Sequence, residues 1–302
     1  MLKLKVKKEL TELCGAREIF FDYPLSGRTS IGIGGKTDVW IVPIDPETLQ
    51  KAVNLLKSAS LKIKVIGNAS NILISDTGFE GAVIKLAGDF FDRVTIKDNV
   101  VTVGGGTSLR KLLADCCRYG LGGLEGAAGI PATIGGAIKM NASYKSAVSE
   151  KLTRVLVLDK YGKYVWREKK EIEFGYRASS FDREEIITCA EFCLERVPAG
   201  ELKEKLGCYL REKAICQPLD EKTLGCIFKN PEENAPASGE LIDRSGMKGV
   251  VSGKARVSEK HANFIVNTGG ASSRDVMTLI EDIQKKVKKV FNVNLEPEIE
   301  IL

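Results

Sequence analysis

Three glycine-rich runs, each following a short apolar stretch, constrain this chain more than any other feature. They are Gly32-Ile33-Gly34-Gly35, Gly67-Asn68-Ala69-Ser70-Asn71, and Gly126-Ala127-Ala128-Gly129-Ile130-Pro131-Ala132-Thr133-Ile134-Gly135-Gly136-Ala137. Glycine lets a backbone approach a diphosphate closely, and consecutive amide N–H groups with a hydroxyl can cradle its oxygens. Taken singly, each run reads more readily as a set of tight turns. None matches Gly-x-Gly-x-x-Gly between a strand and a helix, or Gly-x-x-x-x-Gly-Lys-Ser/Thr, so a Rossmann site and a P-loop both lack support.

The apolar pattern between the runs switches repeatedly between helical and strand periods. Residues 47–60 place Leu49, Ala52, Val53 and Leu56 on one helical face and lead into an apolar strand at 62–66, closed by Gly67. Strands are expected at 81–86, 94–96 and 100–103, then an amphipathic helix at 108–119 with Ser108 as N-cap and Gly120 past its end. Further strands are expected at 152–159, 163–166 and 186–196, with 261–267 and 295–302 strand-like near the C-terminus. Between those two lies a long helix, 272–291, with an apolar stripe of Val276, Leu279, Ile280, Ile283 and Val287. A charge-rich helical segment from 197 to 210 shifts the composition and puts a domain boundary near Pro198. The expected fold is α+β: a first lobe over 1–197, in two parts of roughly 1–86 and 87–197, and a second α+β domain over 198–302 whose last strand returns to the site.

At 302 residues and 43% hydrophobic content the chain has room for two or three packed units sharing a ligand site. A net charge of +5 is too small for an extended nucleic-acid surface and suits anionic small molecules. No stretch nears the roughly 20 apolar residues that span a bilayer, and charges interrupt residues 1–21, so a cytoplasmic protein off the membrane is expected. The eight cysteines include no Cys-x-x-Cys pair, and no metal site is expected. Cys116, Cys117, Cys189 and Cys193 read as core thiols. The one histidine, His261, leaves little from which to build a hydrolytic triad or a zinc site.

The run 67–71 with Ile72-Leu73-Ile74-Ser75-Asp76 and Gly78-Phe79, followed by residues 126–141, resembles the FAD-binding part of the UDP-N-acetylenolpyruvoylglucosamine reductase family, of the vanillyl-alcohol-oxidase or PCMH type of flavin fold. The similarity continues through Gly175-Tyr176-Arg177-Ala178-Ser179-Ser180, Gly225-Cys226-Ile227-Phe228-Lys229-Asn230-Pro231, residues 257–267 and Leu295-Glu296-Pro297-Glu298-Ile299. With no inserted loop beside Tyr176, it resembles the family's short, second type. The resemblance implies a two-part FAD lobe of PCMH type, a C-terminal substrate domain, and reduction of an enolpyruvyl ether on a UDP-sugar for peptidoglycan synthesis. NADPH would be the co-substrate, and the protein a monomer or weak oligomer. FAD would be held non-covalently by Gly67, Asn68, Ala69, Ser70, Asn71, Gly129, Ile130, Pro131, Thr133, Gly135, Gly136 and Ala137, because the lone histidine is poorly placed for a covalent link.

By position, the resemblance makes Arg177 the group facing the enolpyruvyl moiety, Glu298 the catalytic carboxyl group, and Cys226 the proton donor where most relatives carry serine. A thiol is a stronger acid than an alkyl hydroxyl and is mostly protonated at neutral pH, so the substitution keeps a donor. Tyr176, Arg211, Gln217 and Asn230 would bind the UDP part, with Ser258, Lys260 and His261 lining the same cleft. Gly32, where many relatives carry a larger residue, is a second departure. Without the resemblance, Arg177 reads as a surface ion pair with Asp182 or Glu184, and Glu298 as one of three alternating acids, with Glu296 and Glu300, on the wet face of an edge strand. Two other functions stay open on sequence: another flavoprotein of the same fold, and a UDP-sugar-binding regulator that has lost turnover.

Overall fold

The computed structural model describes residues 4–231 and 235–302. They pack into two compact units, the first comprising the described residues up to Tyr23 with Asp38–Gly67 and Glu80–Arg211, the second Pro24–Thr37, Asn68–Phe79 and Glu212–Leu302.

The first unit holds two cores. In one, helices α1 (Leu4–Cys14) and α2 (Pro46–Ser58) bury Leu10, Leu49, Ala52, Val53 and Leu56 with Val39, Ile41, Ala82 and Ile84 of a four-stranded sheet. The sheet order is Ile19–Pro24, Lys36–Ile41, Phe79–Lys85, Ile63–Ile66, and the last two strands run parallel. Proline in the first turn and Asp45, whose carboxylate accepts from Thr48 N–H at 2.7 Å, start α2 as local chemistry dictates. That hydrogen bond holds Asp45 below the usual carboxylate range.

The other core lies on an antiparallel sheet ordered Tyr164–Glu168, Leu152–Leu158, Ile186–Cys193, Val100–Gly104, Val94–Lys97. Against it pack α3 (Leu109–Arg118), whose N-cap is Ser108 as expected, and the short α4 (Ile134–Lys139). The expected strand 186–196 stops at Cys193, and Glu195–Arg196 pairs separately with Leu121–Gly122. Cys193 is a correction to the core-thiol expectation. It is exposed, because 189, 191 and 193 share the face on which Glu191 meets Arg154, while Ala190 and Phe192 fill the core. The even spacing was right and its phase was opposite. Cys189 is half-buried, its thiol pushed up to about 11 by burial; Cys116 is buried and pushed up to about 12.

Helix α5 (Ala199–Cys216) carries the division between units at Arg211, later than Pro198. Its first turns belong with the first unit because Leu202 is buried and Leu206 and Tyr209 pack on that core. The second unit also takes two segments from the N-terminal half, since Ile31, Ile33 and Leu73 are core residues there. Its sheet, ordered Thr223–Cys226, Phe264–Asn267, Ala255–Val257, Val251–Ser252, is covered by α6 (Ser238–Arg244) and α7 (Ser273–Phe291). The predicted stripe on α7 is buried throughout, and truncating one such residue, as in Leu279→Ala, costs about 2–5 kcal/mol. The expected strand 295–302 is shorter than read: only Glu300–Ile301 forms one, parallel to Ile72–Leu73.

Candidate active site

Two of the three glycine-rich runs touch. In the first unit Gly67 ends the strand Ile63–Ile66, and a Cβ there would collide with Thr133 Oγ1, so one run rests its main chain on the other. Thr133 caps α4, its hydroxyl accepting from Gly136 N–H, while Gly135 N–H donates to Gly105 O at 2.8 Å and Ile134 N–H to Thr107 O at 2.9 Å. Pro131 and Gly136 are exposed, Gly129, Ile130 and Gly135 half-buried, and Thr133 and Ala137 buried. In the second unit Ala69 takes a left-handed φ of 44°, and its carbonyl accepts from Ser30 N–H at 3.3 Å. The run 32–35 serves packing there: a Cβ on Gly35 would strike Asp76 O and one on Gly78 would strike Lys36 O.

Residues 67–71 and 129–137 contain no carboxylate; they carry the hydroxyls of Ser70 and Thr133, while the N–H groups of Ile130, Ala132, Ile134, Gly135, Gly136 and Ala137 are engaged within the first unit. Each run, free of carboxylates, with a hydroxyl and with glycines that admit close approach, suits an anionic group such as the diphosphate of FAD. No group of three metal-ligating side chains occurs among the described residues.

Arg177 stands at the tip of a two-residue hairpin between Phe174–Gly175 and Ala178–Ser179, with Gly175 opposite Ala178. Its φ is 53°, a strained conformation for a residue with a side chain. Its Nη1 donates to Ser143 Oγ at 2.8 Å and to Ser143 O at 2.9 Å, and its guanidinium lies 5.5 Å from the centre of the Tyr176 ring. The acids expected in the surface-pair reading are engaged elsewhere, Asp182 with Lys160 and Glu184 with Lys57.

Cys226 and Glu298 lie on neighbouring stretches of the second unit. The strand Thr223–Cys226 carries an irregularity in register before Cys226, at Gly225 with φ of 78°, the kind of bulge that re-aims a side chain. Immediately beyond, Phe228 bridges Pro297, with Glu298 N–H donating to Ile227 O at 2.8 Å and Lys229 N–H to Glu296 O at 2.9 Å. The Glu298 carbonyl accepts from Asn71 Nδ2 at 3.0 Å, and Glu300 N–H donates to Asn71 O at 2.9 Å. The second unit thus joins the end of an expected flavin loop, the cysteine segment and the glutamate segment. Glu298 is half-buried between exposed Glu296 and Glu300, and Glu296 pairs with Lys229.

The residues expected at UDP are divided between the two units. Tyr176 is 54% exposed beside Arg177, and Arg211 is exposed on α5 in the first unit. Gln217 follows that helix, and Asn230 accepts from Ser238 N–H at 3.1 Å, both in the second unit. Ser258 is buried and accepts from Lys260 and His261 N–H, and His261 Nδ1 accepts from Asn263 N–H at 3.2 Å. Burial, then the charge of Lys248, holds the His261 pKa below its ordinary value. Sequence reasoning missed Ser143 and gave Asn141 no role of its own; a hydrogen bond across 34 residues leaves no local signal.

Residues 217–302 match the family described as UDP-N-acetylenolpyruvoylglucosamine reductase, C-terminal domain, and residues 37–167 match a family described as FAD binding domain. The chain is similar to UDP-N-acetylenolpyruvoylglucosamine reductase 1 of Bacillus cereus, 39% identical over 94% of both chains. It is 42% identical to the Thermotoga sp. reductase over 92% of this chain and 91% of that one. The crystal structure of the Thermus caldophilus enzyme aligns with a TM-score of 0.80 and 34% identity over 94% of this chain and 98% of that one. A glucose dehydrogenase, Phl p 4.0202, shares the fold at a TM-score of 0.53 and 17% identity over 65% of this chain and 44% of that one.

Proposed function

Since this chain belongs to the UDP-N-acetylenolpyruvoylglucosamine reductase family, we infer that it reduces the enolpyruvyl ether of a UDP-sugar to UDP-N-acetylmuramate for peptidoglycan synthesis, with FAD as cofactor and NADPH as reductant. The observation that carries the reading is the peptide of Glu298, held at its N–H by Ile227 next to Cys226 and at its carbonyl by Asn71 of a flavin loop.

Gly67, Asn68, Ala69, Ser70 and Asn71, with Gly129, Ile130, Pro131, Thr133, Gly135, Gly136 and Ala137, would hold FAD through close main-chain approach and hydroxyl contacts, without a covalent bond. Bound FAD supplies hydride storage between NADPH and the enolpyruvyl double bond, chemistry that no side chain offers. Arg177, permanently charged and planar, balances the substrate's carboxylate and the enolate that develops from it. Glu298 supplies acid–base capacity to the same transition state, and Cys226 delivers the proton that completes the lactyl ether. Tyr176, Arg211, Gln217 and Asn230 serve the UDP part, whose diphosphate and uracil suit one fixed positive charge and mixed donors and acceptors.

The protein would act in the cytoplasm as a monomer or weak oligomer, away from nucleic acid. Among its described residues no helix is long and apolar enough to cross a membrane. The test is an anaerobic titration. The yellow colour should bleach with NADPH and return on adding the enolpyruvyl sugar. Colour that returns with oxygen and ignores the sugar would identify an oxidase of the same fold, and a protein that binds the sugar without bleaching would be a regulator. Flavin left on the acid precipitate would overturn non-covalent binding.

A further inference from the structure

The chain leaving α4 meets the Arg177 hairpin at every second residue. Ser179 Oγ donates to Lys139 O at 2.5 Å, Asn141 Nδ2 donates to Gly175 O at 2.9 Å, and Arg177 Nη1 donates to Ser143 at both its carbonyl and its hydroxyl. Lys139 extends the attachment beyond the hairpin, its ammonium donating to Asp182 O at 2.8 Å and Glu185 O at 3.3 Å. Asn141 is itself left-handed, with φ of 42°, and its Oδ1 accepts from the hydroxyl of buried Ser149 at 2.7 Å. That bond fixes which way the amide faces, turning Nδ2 toward Gly175. Two side-chain-bearing residues in a conformation that side chains disfavour, Asn141 and Arg177, are thus tied to one small module of the first unit. Such strain persists only where the surroundings over-determine it.

We propose that Asn141 and Ser143 are positioning residues for Arg177: Asn141 fixes the hairpin, and Ser143 fixes the guanidinium before substrate arrives. This deepens the reading of Arg177 as the group that balances the substrate's carboxylate, and rests on it. A guanidinium already held in place loses less freedom on meeting a carboxylate, and misplacement of a reacting group is costly to rate. The arrangement also makes the segment after a flavin-contacting helix the support of a substrate-contacting turn.

The holoenzyme tests this. Ser143→Ala should leave flavin content, the NADPH half-reaction and the melting temperature unchanged while slowing reduction of the sugar about tenfold, the scale of one hydrogen bond to a charged group. Ser143→Thr should restore the rate. In an Arg177→Ala background, Ser143→Ala should add nothing, since the two act as one unit. Full activity of Ser143→Ala, or slowing that adds independently to that of Arg177→Ala, overturns the proposal while leaving Arg177's own role standing. Normal sugar reduction by Arg177→Ala alone sinks the role of Arg177 and the proposal with it. Asn141→Gly keeps the left-handed backbone and deletes only the amide. Amide hydrogen exchange across residues 175–178 should then quicken more than in the rest of the first unit, and exchange there that is unchanged, or that quickens equally throughout, overturns the role of Asn141.

Discussion

Arg177 and Glu298 are placed by opposite means. The arginine is on a strained two-residue turn whose attachments run through the side chains of Asn141, Ser143 and Ser179. The glutamate is fixed through its own main chain, its N–H donating to the Ile227 carbonyl and its carbonyl accepting from the Asn71 side-chain amide, next to a bridge between Phe228 and Pro297. Main-chain pairing survives most side-chain changes, whereas a side-chain clamp fails when one partner is altered. Sensitivity to substitution should therefore spread to the neighbours of Arg177 and concentrate on a few positions around Glu298, Asn71 among them.

The sharpest test of that contrast has the largest effect. Glu298→Gln keeps shape and main-chain pairing and removes charge and acid–base capacity. Stopped-flow traces should show a normal first half-reaction and a second slowed about 10²–10⁴-fold. Equal slowing of both halves, or of neither, would return Glu298 to the role of a surface acid. Next in size, Cys226→Ala should lose most of the flavin-reoxidation rate while Cys226→Ser keeps much of it, because either a thiol or a hydroxyl can supply a proton. An alanine variant that turns over normally would place the donor elsewhere.

Gly225→Ala asks whether the bulge matters by backbone alone. A Cβ there meets nothing within 4 Å, so the expected loss of about 1–2 kcal/mol is purely conformational, from φ of 78°. A melting temperature equal to that of the parent would show that the bulge relaxes at no cost. The smallest effect concerns His261. Its folded pKa is depressed, so the unfolded chain takes up a proton first as pH falls through about 6.5. Its contribution is whole above that pH and is lost as pH falls from there toward the folded value. His261→Gln should flatten that part of the stability profile, read as urea midpoints at about pH 7.5 and about pH 5.5. Parallel profiles for parent and variant would remove His261 as a source of acid sensitivity.

What was legible in the sequence follows the range of the forces involved. Helices α2, α3 and α7 declare themselves through caps and stripes that lie within a few turns. Helix α1 did not, since the charges of residues 1–21 hid Leu10 and Cys14, its buried residues. The proposed functional positions come from motif order, and their supports do not. Asn71 reaches Glu298 across 227 residues and Arg177 reaches Ser143 across 34, distances at which periodicity is silent. The phase of the strand 186–193 was also invisible locally, because alternation marks two faces without saying which one is wet.

The parallel pairing of Ile72–Leu73 with Glu300–Ile301 has a consequence for how the protein is made. Closing a flexible loop of that length costs on the order of 5 kcal/mol before any contact rewards it, and such distant pairings are slow to find. The largest segment of the first unit, Glu80–Arg211, lies inside that loop, and once it has folded those residues no longer contribute to the closing entropy. Assembly of the second unit is therefore fastest as a late event on a chain whose first unit already exists. Its C-terminal segment has no early route to the other two, so the link from Asn71 to Glu298 is expected among the last contacts to form.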